Sequence, residues 1–142
     1  MKKIFSWMLI ALVGIAFSSC EGFGKKQTEF YLSDLQGLWV QDGTQDHSRY
    51  TAENAGNVKP GYLWGRSWDE ADDVHESDLV PYGNGWFMYR LAGNELLKIE
   101  QMDGEWADIP KRYTLTLLTG SKMTYHPKEY SKEKVSFTKQ TE

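Results

Sequence analysis

Apolar and polar side chains alternate along several stretches of the chain. The alternation is clearest near the C-terminus, where Tyr113, Leu115 and Leu117 are separated by threonines. Val135 and Phe137 alternate with serine and threonine in the same way. Successive side chains of a β-strand point to opposite faces, so this pattern predicts strands with one buried face and one solvated face.

Turn-forming sequences separate these runs at regular intervals, as in a series of antiparallel hairpins. The turns are Asp42-Gly43, Gly83-Asn84-Gly85, Gly93-Asn94, Asp103-Gly104 and Thr119-Gly120. Eight strands are predicted, at residues 37–41, 48–52, 61–68, 86–91, 95–102, 112–118, 122–126 and 134–139. The sequence therefore predicts an all-β fold, either an antiparallel barrel or a sandwich.

The stretch 69–79 departs from the strand pattern. Ser67-Trp68-Asp69-Glu70 fits a capping box, and the apolar residues that follow are spaced as on a helix, which predicts one or two helical turns. Around His75 lie the acids Asp69, Glu70, Asp72, Asp73, Glu76 and Asp78. Their clustering is typical of a solvated acidic loop, with Ca²⁺ binding and the docking of a basic partner as alternatives. Because the spacing of a dedicated calcium loop is missing, no metal site is assigned.

The first twenty residues predict export. Lys2 and Lys3 precede an apolar run at residues 4–17, which is followed by Ser18, Ser19 and the sole cysteine, Cys20. This order is typical of a secretory signal, and a cysteine just after the cleavage site is where bacterial lipoproteins are acylated. A transmembrane helix is the alternative, but about 14 apolar residues fall short of the roughly 20 that cross a bilayer.

The expected organisation is a signal peptide at residues 1–19, a lipidated Cys20 with a tether to residue 28, and one domain at residues 29–142. The acyl chains on Cys20 would be the membrane partner, because two or three such chains anchor a protein stably. We expect an outer-membrane lipoprotein, and the sequence leaves open whether it faces the periplasm or the cell surface.

Composition narrows the possible functions. Removing residues 1–19 lowers Lys plus Arg from 16 to 14 against 20 acids, a net charge of −6. An acidic surface repels phosphate backbones, so no nucleic-acid partner is expected. With Cys20 acylated no thiol remains for catalysis or metal binding, and no Ser-His-Asp arrangement or singular carboxylate pair is readable. We therefore expect neither enzymatic activity nor a cofactor.

Several motifs carry a family resemblance. Gly37-Leu38-Trp39, the segment GYLWGRSWDEADDVHESDL with the later YGNGWF, and the closing hairpin and strand resemble lipocalin-like lipoproteins of Gram-negative gut bacteria. The resemblance implies a small antiparallel up-and-down β-barrel of about eight strands, with Trp39 plugging one end. It implies no particular ligand, because the scaffold hosts many.

The candidate ligand site follows from the alternate residues Tyr62, Trp64, Arg66 and Trp68, which share one face of a strand. If this face lines the barrel, its rings could hold an apolar chain while Arg66 takes an anionic head group or pairs with an acid such as Glu100. The predicted ligand-binding residues are Trp39, Tyr62, Trp64, Arg66, Trp68 and Tyr89. The alternatives are rings that fill the core or an outward platform that stacks on sugars.

Two functions remain open at this point. The first is a module that binds a small, partly apolar molecule in the cell envelope. The second is a non-enzymatic accessory subunit that docks on an envelope or nutrient-uptake protein through the acidic loop and an aromatic outer face. Residues 86–91 are apolar on both faces, which indicates that a second element or a partner covers the outer one.

Overall fold

The computed structural model describes residues 27–142, and the predicted signal peptide, Cys20 and most of the tether lie outside this range. The strands are β1 Gly37–Gln41, β2 Asp46–Asn54, β3 Leu63–Asp69, β4 Trp86–Ala92, β5 Glu95–Met102, β6 Glu105–Trp106, β7 Lys111–Leu118, β8 Lys122–Pro127 and β9 Val135–Lys139. One helical turn, α1 Leu32–Leu35, precedes them.

Eight of these strands form a closed antiparallel barrel in the order β4-β3-β2-β1-β9-β8-β7-β5, and β4 pairs with β5 to complete the ring. Every hydrogen-bonded neighbour is antiparallel, and each connection joins adjacent strands. The predicted all-β, up-and-down barrel is confirmed. The eight predicted strands are all present, with bounds that agree within two residues.

The extra strand β6 was not predicted. It pairs only with β5, through a tight turn at Asp103 and Gly104. Both turn residues have positive φ, 54° and 81°, which is the backbone conformation that a two-residue type I′ hairpin turn requires. The hairpin extends beyond the barrel wall and carries Trp106 against its outer surface.

The barrel interior holds the main core. Its buried residues come from every barrel strand except β3: Leu35, Trp39, Tyr50, Phe87, Tyr89, Leu96, Leu115, Leu118, Met123, Tyr125 and Phe137. The alternation predicted for 135–139 is confirmed, because Phe137 is buried in this core and Val135 packs against it. Strand β3 contributes Leu63 at the edge of the same cluster.

The prediction that Leu117 shares a buried face with Tyr113 and Leu115 is wrong. The register of β7 against β8 shifts by one residue between Leu115 and Leu117, as in a β-bulge. The shift turns Leu117 outward, where it is 38% exposed, and places Leu118 in the core at 1% exposure.

One end of the barrel is closed by the chain that precedes β1. Leu35 is fully buried there, and its carbonyl accepts a hydrogen bond of 2.7 Å from the Trp39 indole nitrogen. Lys139 Nζ lies 5.1 Å from the centre of the Trp39 ring and donates to the carbonyls of Asp34 and Gln36 at 2.7 and 2.9 Å. Trp39 therefore plugs one end of the barrel, as expected.

The acidic insertion between β3 and β4 contains two short 3₁₀ turns, Glu70–Asp72 and Glu76–Asp78. The predicted capping box at Ser67 is wrong by two residues. Trp68 and Asp69 still belong to β3, and it is the Asp69 carboxylate that caps the first turn by accepting from the Ala71 amide at 2.9 Å.

Candidate ligand site at the open end of the barrel

The six residues predicted to bind a ligand are divided by the barrel wall. Trp39 and Tyr89 belong to the interior core. Tyr62 and Trp64 belong to a separate cluster with Met88, Leu97 and Ile99. Leu63 packs on the interior core, so its neighbours Trp64, Arg66 and Trp68 point outward on the opposite face of β3. The expectation that the Tyr62–Trp68 face lines the barrel is wrong.

The outward-facing aromatics form a second core on the outside of β3, β4 and β5. Trp64 is only 3% exposed, and its ring centre lies 4.9, 5.5 and 5.6 Å from those of Tyr82, Trp106 and Trp86. Loop residues Ala55 and Tyr62 and the β6 hairpin cover this cluster. The outer face of β4 is therefore covered by the protein's own chain, and the predicted aromatic platform for sugars or a partner is buried.

Arg66 already has an ion-pair partner. Its Nε donates to Glu76 Oε2 at 2.8 Å, and its guanidinium lies 4.9 Å from the centre of the Trp86 ring. Arg49 binds the same carboxylate through Nε and Nη2 at 2.7 and 3.0 Å. Arg66 thus pairs with an acid as one prediction had it, but the acid is Glu76, since Glu100 pairs instead with Lys111 at 3.0 Å.

This ion network fixes the acidic insertion to the outside of the barrel. Burial raises the pKa of the Glu76 carboxyl, but the hydrogen bonds from Arg49 and Arg66 outweigh burial and hold the pKa below its ordinary value. The Glu76 bonds to Arg49 also raise the pKa of that guanidinium. Glu76 remains ionised at neutral pH and cannot release Arg66 to an external anion without breaking this network.

The other end of the barrel opens into a cavity of about 360 Å³. Its mouth is formed by Asp46 and Asp69, at the ends of β2 and β3. His47 and Trp68, whose rings stack on the outer face of these strands, also border it. The inner lining is Gln41, Ser48, Ser67, Lys98, Tyr125 and Phe137. Ligand sites in proteins usually measure about 300–1,000 Å³, so this cavity suits a small molecule.

Lys98 is the only lysine or arginine among the residues that line this cavity. It lies on the interior face of β5, between Leu97 and Ile99, and is 6% exposed. Its Nζ is 4.3 Å from the centre of the Phe87 ring, 5.6 Å from Tyr50 and 5.9 Å from Tyr113. Across residues 27–142, no carboxylate lies within ion-pairing distance of this ammonium group.

The three rings around Lys98 compensate only part of its burial. A cation–π contact contributes about 0.5–2 kcal/mol. Taking an ammonium group out of water costs several kcal/mol, and its three N–H donors still need acceptors. The cavity is where such acceptors can reach Nζ.

Two tyrosines of the interior core, Tyr50 and Tyr125, lie near Lys98 and have buried side chains. The Tyr50 hydroxyl is buried and has no hydrogen-bond partner in the part of the chain that the structure describes. Burial raises the pKa of Tyr50 and of Tyr125 far above the ordinary range, and the positive charge of Lys98 offsets part of the rise at Tyr125. Both hydroxyls are therefore neutral and can donate a hydrogen bond.

Tyr89 has a structural role. Its hydroxyl donates to the Thr51 carbonyl at 2.6 Å, and burial raises the pKa of the hydroxyl to about 12. The side chain is fully buried in the interior core and does not line the open-end cavity.

The mouth carries two facing acids, Asp46 and Asp69, which are direct partners across β2 and β3. Burial and the charge of Asp69 raise the pKa of the Asp46 carboxyl. In the described chain, no group of three His, Cys, Asp or Glu side chains is arranged to hold a metal ion, and this includes the acidic insertion.

Sequence reasoning missed Lys98, although the pattern contained a signal. Residues 95–102 include the apolar run Leu96, Leu97 and Ile99, interrupted by one lysine. A lysine between apolar residues of a strand that is buried on both faces has to lie in one of the two cores. The alternating aromatic residues at positions 62–68 instead predict Arg66 as the cation of the site.

Comparisons with known proteins add no family. No family model matches the chain, and neither a curated protein nor a solved structure matches it significantly. Within residues 27–142 the structure has no helix with the length and apolar character to span a membrane.

Proposed function

We propose that this protein is an exported, outer-membrane-anchored lipoprotein of the lipocalin-like kind. Acyl chains on Cys20 would hold it to the membrane, and its barrel binds a small, partly apolar molecule. The observation that carries the binding function is the 360 Å³ cavity, which reaches from a polar mouth to the buried rings of Tyr125 and Phe137. Neither catalysis nor nucleic-acid binding is part of the proposal.

The arrangement of the two cores supports this function. An eight-stranded barrel has an interior that is either filled by its own side chains or able to hold one small ligand. Here the rings of Trp64, Trp86 and Trp106 pack outside the wall. The interior is consequently left with space at one end, while Leu35 and Trp39 close the other.

The binding function is tested by filling the cavity. The full chain is reconstituted in phosphatidylcholine nanodiscs and titrated with 4-phenylbutyrate and its neutral amide by calorimetry, with empty nanodiscs as the blank. Wild type should bind at least one probe saturably and with one-to-one stoichiometry. Ser48→Phe, which places a ring in the cavity, should abolish binding.

The matched control for this experiment is Glu53→Phe, which adds the same ring at an exposed position of the same strand. It should leave the affinity unchanged. Binding that survives Ser48→Phe, or a wild type that binds neither probe, would contradict the binding function.

The anchor is tested separately. Cys20→Ala should move the protein from the membrane fraction to the soluble fraction, because the acyl chains have no other attachment site in this proposal. A conservative Ser19→Ala variant serves as the control and should still be found with membranes. An unchanged membrane association of Cys20→Ala would disprove anchoring through this residue.

A docking function is the second candidate, and one observation favours it. The loops at the open end carry the exposed apolar side chains Val80, Tyr82, Met102, Ile109 and Tyr130. Ile109 is 78% exposed and Tyr130 58%, beside a groove of about 540 Å³. Exposed apolar groups beside a groove are a common feature of protein interfaces.

Docking through this end is tested by affinity purification from solubilised envelopes. Wild type should recover a stoichiometric partner, and Ile109→Ser with Tyr130→Ser should lose it, whereas Leu117→Ser at the other end should not. Recovery of no stoichiometric partner by wild type would count against docking.

A further inference from the structure

We infer that the ligand is a small organic anion, an apolar or aromatic carboxylate whose charged group binds Lys98. This inference rests on the proposed binding function and names the chemistry of the same cavity. The anion would bind a lysine inside the barrel and not Arg66 on its outer face.

Lys98 lacks a hydrogen-bond acceptor among the described residues. Its ammonium carries three N–H donors, and the faces of three aromatic rings lie within 6 Å of it. Glu100, two residues further along the same strand face, binds Lys111 at 3.0 Å instead. Among the described residues, Lys98 Nζ has no hydrogen-bond acceptor, so water or a ligand in the cavity has to provide one.

A negatively charged acceptor suits Lys98 better than a neutral one. A hydrogen bond between an ammonium group and a carboxylate is shorter and stronger than one between neutral groups, and it gains further strength where the surroundings are apolar. Tyr125, Phe137 and Phe87 provide such surroundings. A neutral amide would satisfy the donors but leave the buried charge uncompensated.

The size and lining of the cavity favour a compact ligand with an apolar body. The cavity of about 360 Å³ lies near the lower limit of known ligand sites, which favours a compact molecule over a long acyl chain. Rings of Tyr125 and Phe137 line its inner part and would contact an apolar or aromatic body. The neutral Tyr50 hydroxyl, buried and without a partner in the described chain, lies in the same interior core.

The acids at the mouth act against a purely electrostatic capture of anions. Asp46 and Asp69 repel any approaching anion, so affinity has to come from close contact with Lys98 and with the rings. Inorganic phosphate, which has no apolar part, should therefore bind weakly or not at all.

The experiment compares 4-phenylbutyrate with 4-phenylbutyramide, which differ in charge but hardly in shape. Both are titrated into the full chain in phosphatidylcholine nanodiscs. Wild type should bind the carboxylate at least tenfold more tightly than the amide. Lys98→Met, which removes the charge and keeps the length of the side chain, should remove this preference while still binding the amide.

The control is Lys122→Met, which replaces an exposed lysine at the closed end and should keep the full preference. Equal affinity of wild type for the two probes would overturn the inference and leave the binding function standing. A preference that persists in Lys98→Met would overturn it as well. Binding of neither probe by wild type would overturn the binding function and this inference together. The comparison in wild type needs no variant, so the test remains decisive even if Lys98→Met fails to fold.

Discussion

Gly65 is the position where the barrel leaves no room for a side chain. A Cβ placed there would lie 2.4 Å from two carbons of the Phe87 ring and 3.0 Å from the Arg49 carbonyl oxygen. Carbon atoms pack best at about 3.5–4.0 Å, so Gly65→Ala forces the Phe87 ring to move by about 1 Å. Overpacking of this kind costs about 1–3 kcal/mol. The lower entropy of the unfolded chain returns about 0.4–1 kcal/mol, so we expect a net loss of about 1–2 kcal/mol.

The cause of this loss can be separated with a double-mutant cycle. Phe87→Leu removes the ring that meets the new methyl group, so Gly65→Ala should cost about 1 kcal/mol less in that background than in wild type. The measurement is urea unfolding of the fragment 27–142, which contains all nine strands and both cores, followed by tryptophan emission. Additivity within about 0.5 kcal/mol would refute the steric explanation, because independent sites behave in that way.

Three further predictions concern the outer ion network, the outer core and the mouth. Glu76→Gln should lower the free energy of unfolding at pH 7 by about 1 kcal/mol. Because the folded-state pKa of Glu76 is depressed, its contribution to stability is present above the unfolded-state pKa and is lost as pH falls through the folded-state pKa. The unfolding curves of wild type and variant should therefore converge in acid, and a constant difference from pH 7 to pH 3 would contradict this. Trp106→Ala should lower the free energy of unfolding by about 1–3 kcal/mol, because its half-buried ring packs on Trp64. It should also raise acrylamide quenching of the remaining tryptophans. An unchanged urea midpoint would show that the β6 hairpin contributes nothing to stability. Asp46→Asn should tighten 4-phenylbutyrate binding about two- to tenfold without changing amide binding, because a repelling charge at the cavity mouth is removed. Equal gains for both probes in the same calorimetric titrations would exclude charge as the cause.

The fold could be predicted because turn and strand signals agree along the chain. Each predicted hairpin turn is a Gly-containing pair or triplet, and several of the strands that these turns join alternate in polarity. The local exceptions have no comparable signal. The bulge before Leu117 leaves the alternation of threonine and leucine intact in the sequence, and only the pairing with β8 reveals it. The strand β6 is two residues long, too short for a periodic pattern.

The site could be predicted only in part, because a period of two shows which residues share a face but not which side that face is on. Both faces of β3 could belong to a core, with rings on one and Leu63, Gly65 and Ser67 on the other. The pattern favours the side with the large rings as the interior. The structure places the small residues inside, because Phe87 and Tyr50 from neighbouring strands already occupy the space in front of Gly65.

This reversal explains how so small a barrel can keep a cavity and a buried lysine. Stability has to come from buried apolar area, and a barrel with one core would gain it by filling its interior. Here Trp64, Met88 and Ile99 bury much of that area outside the wall, beneath the β6 hairpin and the loop that carries Tyr62. The interior can then leave the surroundings of Lys98 unfilled without losing the fold. On this view the outer core, although it touches no ligand, is what permits a binding site inside.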